Sequence, residues 1–295
     1  MSLFSLLGAV EIGLIFALVA LGVLLSFRLL RFPDLTVDGS FPLGGAVCAT
    51  LISKGADPFT ATAVATLAGA LAGLITGWLN VRLKIMDLLA SILMMIALYS
   101  VNLRIMGGPN VPLINDPTVF NVLQPAGLAD YWWRPILMLL IVIVAKLVMD
   151  WFFSTERGLA IRATGSNARM ARAQGINTGA MVLLGMAISN ALVGLAGALF
   201  AQTQGGSDIS MGIGTIVIGL AAVIVGEAIM PSRRIVYATL AVIVGAIVYR
   251  FFIALALNSD FIGLKAQDLN LVTAVLVTIA LVIPQLRRKL AARGR

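Results

Sequence analysis

Apolar runs close to 20 residues long recur from one end of this 295-residue sequence to the other. Each is long enough to cross the roughly 30 Å hydrocarbon core of a bilayer as a helix. In lipid every backbone N–H and C=O must be satisfied inside the protein, which a helix does on its own. The chain is therefore expected to be an all-α integral membrane protein. Charge usage agrees: 12% of residues are charged and the mean hydropathy is +1.03, against about 25% charged in a soluble domain. Hydropathy predicts about nine spans in one domain, near 8–30, 40–53, 59–80, 85–105, 135–153, 181–203, 213–230, 235–257 and 269–286. The second is short and opens on Pro42 and Gly44–Gly45, so it reads as a broken or half-crossing helix. The first run lacks a basic leader and a small-residue cleavage site, and is expected to be kept as a span.

Composition closes several routes to chemistry. There is no histidine, which removes serine–histidine catalysis, histidine proton relays and the usual zinc sites. Cys48 is the only cysteine, so no disulfide can form within the chain. No GxxxxGK[ST] phosphate loop occurs, so nothing argues that the chain binds ATP itself. No metal, cofactor or catalytic residue is expected. The net charge of +8 fits basic loops beside a membrane rather than a nucleic-acid surface.

Lysine and arginine placement predicts orientation. The loops 28–39, 81–87, 154–180 and 231–234, with the tail 287–295, hold 15 basic residues; the other side holds 4. The basic side is read as cytoplasmic. The C-terminus is then inside and, with nine spans, the N-terminus outside.

Residues 155–177 form a polar, basic island on that cytoplasmic side. Ser166 reads as an N-cap and Gly175 as a C′ residue, bracketing a helix over 167–174. Ala168 and Ala171 make one face small, Met170 adds an apolar edge, and Arg169 and Arg172 lie three apart beside it. Such a helix, from Ser166 and Asn167 to Gln174 and Gly175, suits insertion into a partner's groove. A solvated loop whose arginines only set topology is the plainer alternative.

Two short stretches resemble each other. Asp34-Leu35-Thr36-Val37-Asp38-Gly39 and Asp208-Ile209-Ser210-Met211-Gly212 both follow a long span and precede an apolar run with glycines. By the charge bias they lie on opposite sides, the pattern of the inverted repeats found in transporters. Ionisable groups within spans default to function. Glu11 reads as an interfacial hydrogen-bonding group or a path residue. Glu227 is expected to pair with Arg233 or Arg234, and Arg250 to snorkel outward. Asn190 and Gln202 suit bonds across helices, and Tyr99 and Asn102 sit toward the outer end of the fourth span. Candidate path residues are Glu11, Asp34, Thr36, Asp38, Tyr99, Asn102, Asn190 and Asp208. Tyr131-Trp132-Trp133 reads as an interfacial belt.

These residues resemble the permease subunits of ABC importers of the branched-chain amino acid and ribose class. The match rests on Asp34 to Gly39, on Gly158-Leu159-Ala160-Ile161-Arg162-Ala163 through Gly175-Ile176-Asn177, and on the alanine- and glycine-rich run Ser189 to Leu199. It covers essentially the whole chain. Asp38 stands where the family has glycine, and Phe32-Pro33-Asp34 looks like a subgroup paired with aromatic or branched-chain amino acid binding proteins. The resemblance implies a type II importer architecture with a second permease subunit, identical or a close relative. It also implies separate ATPase subunits that use ATP themselves and take the 166–175 helix into their grooves, and an external solute-binding protein, all at the inner membrane. An ion-coupled secondary transporter is the alternative, though few paired intramembrane carboxylates support it.

Overall fold

The computed structural model describes residues 3–125, 129–232 and 234–257, together with 275 and 278. Seven described helices are long and apolar enough to span a membrane. An eighth, Val37–Ser53, is apolar but shorter. The expected ninth span, 269–286, lies outside the described residues.

Helix α1 runs Leu3–Val23 and continues as a π-helical turn over Leu24–Leu29. From Leu14 to Leu25 its side chains are almost wholly buried. A helix apolar on every face belongs in the middle of a bundle, and α1 packs against four others. The turn ends at Arg31, which takes a left-handed φ of 57°. Pro33 then disfavours helix at Phe32, and the chain stays non-helical to Thr36.

Helix α2 is Val37–Ser53, with Pro42 inside it. Helix α3, Pro58–Leu83, starts on Asp57, whose carboxylate accepts from the N–H groups of Phe59 and Thr60 at 3.1 and 3.2 Å. Its buried positions Ala61, Ala65, Gly69, Ala72, Gly73 and Gly77 form a small-residue stripe. That stripe faces α9, Thr178–Gln204. A Cβ on Gly69 would lie 2.4 Å from the Asn190 carbonyl oxygen, and one on Gly73 would lie 2.1 Å from that of Met186. Small residues let the two backbones meet, as in other membrane helix pairs.

Helix α4 covers Asp87–Met106 and leads to a short strand β1, Asn110–Pro112. One helical turn, α5, Val119–Val122, follows. Helix α6 is Asp130–Ser154. Trp132 of the aromatic triplet is exposed, whereas the Trp133 indole turns inward and donates to the Phe120 carbonyl at 2.9 Å. After α9, strand β2, Gly206–Asp208, pairs antiparallel with β1. A 3₁₀ turn, Ile209–Gly212, leads into α10, Thr215–Ile229, and then α11, Ile235–Leu257.

Between α6 and α9 lie two helices at one end of the bundle. Helix α7 is Glu156–Ser166 and α8 is Ala168–Ala173. Thr155 caps α7 by accepting from the Gly158 N–H at 3.3 Å. Glu227 lies at the same end. Its observed partner is Arg28 at 2.6 Å; this replaces the expected Arg234 among the described residues, and Arg233, the other expected partner, lies outside them. Arg250 does not reach outward. It stacks over the Phe16 ring at 5.8 Å.

Candidate functional site

The non-helical segment before α2 lies deep in the bundle and is held by side chains. Asp34 Oδ1 accepts from its own Thr36 N–H at 3.0 Å. Asp34 Oδ2 accepts from Asn190 Nδ2 at 2.7 Å, and Asn190 Oδ1 accepts from the Ser40 hydroxyl at 2.7 Å. The hydroxyls of Thr36 and Thr76 lie 2.9 Å apart. Asp34, Thr36, Ser40, Thr76 and Asn190 are all buried. Irregular backbone survives at membrane depth only where protein encloses it, and these bonds close the α2–α3–α9 joint. Asn190→Ala removes the bonds to Asp34 and Ser40. It is expected to lower the unfolding temperature, at a cost of about 1–3 kcal/mol for the partners left unsatisfied. A melt in detergent that matches the parent protein would refute this.

Asp38, in the first turn of α2, reaches across the bundle to another helix. Its carboxylate accepts from the N–H of Ile216 at 2.7 Å and of Gly214 at 3.4 Å. It thereby satisfies donors at the start of α10 that have no partner within that helix. A Cβ on Gly212 would sit 2.1 Å from the Asp38 carbonyl oxygen and 2.5 Å from the Pro42 ring. The starts of α2 and α10 thus meet inside the molecule, each preceded by irregular chain. A cavity of about 630 Å³ opens beside this meeting point. Asp38, Met95, Tyr99, Asn102, Ser210 and Ile213 are among its walls.

Asp208 begins the second irregular segment. Its Oδ1 accepts from the Ser210 N–H at 2.8 Å and from the Ser210 hydroxyl. This is the turn that Asp34 makes with Thr36. These bonds, the Ser210 hydroxyl first, hold the Asp208 carboxyl below the usual carboxylate range. Its contribution to the turn is present above the unfolded carboxylate pKa and is lost as pH falls through the lower folded value. The turn therefore persists into mildly acidic conditions.

Helix α8 carries the other candidate surface. Asn167 is its N-cap, accepting from the N–H groups of Arg169 and Met170, both at 3.1 Å. At the other end Gly175 N donates to Arg172 O and Ile176 N to Ala171 O, both at 3.0 Å, with Gly175 at φ 81°. That is a complete Schellman ending. Arg169, Met170, Arg172, Gln174 and Gly175 are exposed, while Ala171 is buried.

Residues 5–283 match the family described as branched-chain amino acid transport system, permease component. The chain belongs to that permease family. It is similar to the tyrosine transport system permease protein of Clostridioides difficile, with 40% identity over 266 residues, 90% of this chain and 86% of the relative. An uncharacterised Rickettsia prowazekii protein shares 34% over 283 residues, 94% of this chain and 96% of its own. The ribose import permease of Escherichia coli shares 24% over 258 residues, 85% of this chain and 76% of its own. No solved structure matches. Its relatives are subunits of transport systems rather than enzymes.

The permease brings some expected site residues together and separates others. Asp38, Tyr99 and Asn102 share the cavity, and Asp208 stands next to it through Ser210. Asp34, Thr36 and Asn190 lie in the joint, bonded to one another and to their neighbours, and do not line that cavity. Glu11 is apart from both groups, and its Oε1 is buried with no hydrogen-bond partner among the described residues. Two corrections concern α8. Ser166 closes α7 and Asn167 is the cap, because the Asn167 backbone leaves the helical region at φ −153° while Ser166 stays helical. Ala171 faces inward, so the small face of Ala168 and Ala171 is a packing face. Helix α7 itself went unread in the sequence. Its signal was Thr155 three residues before Gly158, without the glutamate that completes a capping box.

Proposed function

We propose that the permease is the membrane subunit of an ATP-binding cassette importer for a small amino acid-like solute. Two copies, or one copy and a close relative, enclose the path. ATPase subunits dock on the cytoplasmic side and an external binding protein delivers the solute. The basic side, α7–α8 and the C-terminus are cytoplasmic in this reading, at the inner membrane. The observation that carries it is α8: a helix capped at both ends, with Arg169, Met170 and Arg172 turned away from the chain that holds it. The coupling segment is Ser166, Asn167, Ala168, Arg169, Met170, Ala171, Arg172, Gln174 and Gly175. Its outward residues make the contact, and Ala171 anchors it from within. The amino acid assignment rests on likeness to the tyrosine permease. Asp38, Tyr99, Asn102 and Asp208 border the path, whereas Asp34, Thr36 and Asn190 hold its frame.

In this reading the chain is an inverted repeat, and two correspondences support that. A shift of 174 residues, from 34 to 208, carries α1 onto α9, α2 onto α10 and α3 onto α11. It also carries packing onto packing: α3 lies on α9 as α11 lies on α1, and α2 on α3 as α10 on α11. Asp38 touches Ile216, and Gly212 touches Pro42, which the shift makes the same contact seen twice. Reciprocal contacts of that kind are the mark of a two-fold relation. Helix starts that meet inside the bundle fit a transporter of that kind.

A pull-down of the permease from its native membrane in mild detergent, with mass spectrometry of its companions, tests the proposal. A nucleotide-binding subunit is expected. Its absence under conditions that keep other complexes intact would shift the reading to an ion-coupled transporter.

A further inference from the structure

Asn102 has 0% exposure and lines the cavity beside Asp38. Its Nδ2 donates to the Gly39 carbonyl at 3.2 Å. A carbonyl can only accept, so the amide is oriented and Oδ1 is the atom left over. That oxygen has no hydrogen-bond partner among the described residues. A buried amide oxygen without a partner is costly and calls for a donor. The neighbouring wall is also rich in acceptors. Each Asp38 oxygen takes a single backbone N–H, and a carboxylate has about four acceptor positions. The Ser210 hydroxyl is already given to Asp208. Among the described residues no lysine or arginine lines the cavity, and most of its surface is apolar, with Pro42, Met95, Ile96 and Ile213 contributing.

We propose that the Asn102 amide oxygen, with the Asp38 carboxylate beside it, is the recognition point for a primary ammonium group on an apolar solute. The inference rests on reading this cavity as a wall of the path. An ammonium brings three donors, a positive charge and no acceptor, which suits an unpartnered amide oxygen beside a carboxylate, with the Tyr99 and Ser100 hydroxyls completing the polar part of the wall. Met95, Ile96 and Ile213 receive the apolar body. A sugar fits poorly, because its hydroxyls would face a mainly apolar surface with few partners. The sequence alone hides this group: Asn102 reads as one polar residue near a helix end, and only Gly39 reveals which of its atoms is free.

The test uses the full-length permease in detergent with its bound subunits, melted in the presence of phenethylamine, L-tyrosine, L-leucine, 3-phenylpropionate or D-ribose. Phenethylamine is expected to raise the unfolding temperature most, and L-tyrosine and L-leucine less, because no cation on this wall meets their carboxylate; 3-phenylpropionate and ribose are not expected to raise it. Asn102→Leu is expected to need roughly tenfold more phenethylamine for the same shift. The proposal is overturned if 3-phenylpropionate or ribose stabilises as well as phenethylamine, if no amine stabilises, or if Asn102→Leu responds like the parent. Should that variant fail to fold, the contrast between phenethylamine and 3-phenylpropionate on the unaltered protein decides. The ATPase content of the same sample is read separately. Amine-specific stabilisation without an ATPase would remove the importer reading and leave the site standing.

Discussion

Gly44→Ala is expected to remove most folded permease from the membrane. A single methyl there would lie 2.0 Å from the Gly194 carbonyl oxygen, 2.7 Å from its carbon and 2.8 Å from its Cα. All three are backbone atoms of α9, so no rotamer change can relieve the contact. Overpacking that side chains absorb costs about 1–3 kcal/mol; here two helices must separate, which puts the cost at or above the top of that range. The same separation would pull on the joint, because Ser40 and Asn190 bond across it one turn earlier. Gly8→Ala is the control, since nothing lies within 4 Å of its built Cβ. Membrane abundance and detergent melting of the two variants should diverge sharply. Equal behaviour would mean that the α2–α9 contact is looser than described.

The double change Arg169→Glu with Arg172→Glu is expected to leave insertion intact and abolish coupled transport. Both side chains are exposed and neither forms an ion pair among the described residues. Reversing them costs the fold little. At a docking surface, arginines are common anchors, worth about 2 kcal/mol or more each. Ala171→Arg should behave in the opposite way. It places a charge where only 4% of the residue is exposed, so the chain is expected to be lost before any partner is met. Uptake into vesicles and ATPase co-purification, compared with membrane level, separate the two cases. Full transport by the double variant would dismiss α8 as the docking element.

The apolar runs made the helices legible, because length and composition alone decide what lipid accepts. That α2 is shorter than the spans was legible too, from Pro42 and the glycines, although it runs unbroken over 17 residues where a broken or half-crossing helix was expected. The joint was not. Asp34, Thr36 and Asn190 looked like path residues because a polar group in an apolar run is costly wherever it points, and hydropathy cannot tell a bond from a solute contact. Only the 2.7 Å approach of Asn190 to Asp34 distinguishes them. Asp38 and Asn102 carried the same ambiguity and fell the other way, beside open space. The α8 boundary slipped by one residue because serine and asparagine are equally good caps, and the choice depended on how α7 ended.

The joint at Asp34 also constrains how the chain can be made. Asp34 and Asn190 are 156 residues apart. At about 5–20 residues per second, a ribosome takes roughly 10–30 s to synthesise that interval. Throughout it the turn is held by its own Thr36 N–H and by Thr76 and Ser91, and Asp34 Oδ2 lacks its Asn190 donor. The N-terminal third must therefore wait, shielded beside the insertion machinery, until α9 arrives to close it. Chains stalled before residue 190 should stay crosslinkable to that machinery, and release into lipid should follow the emergence of α9.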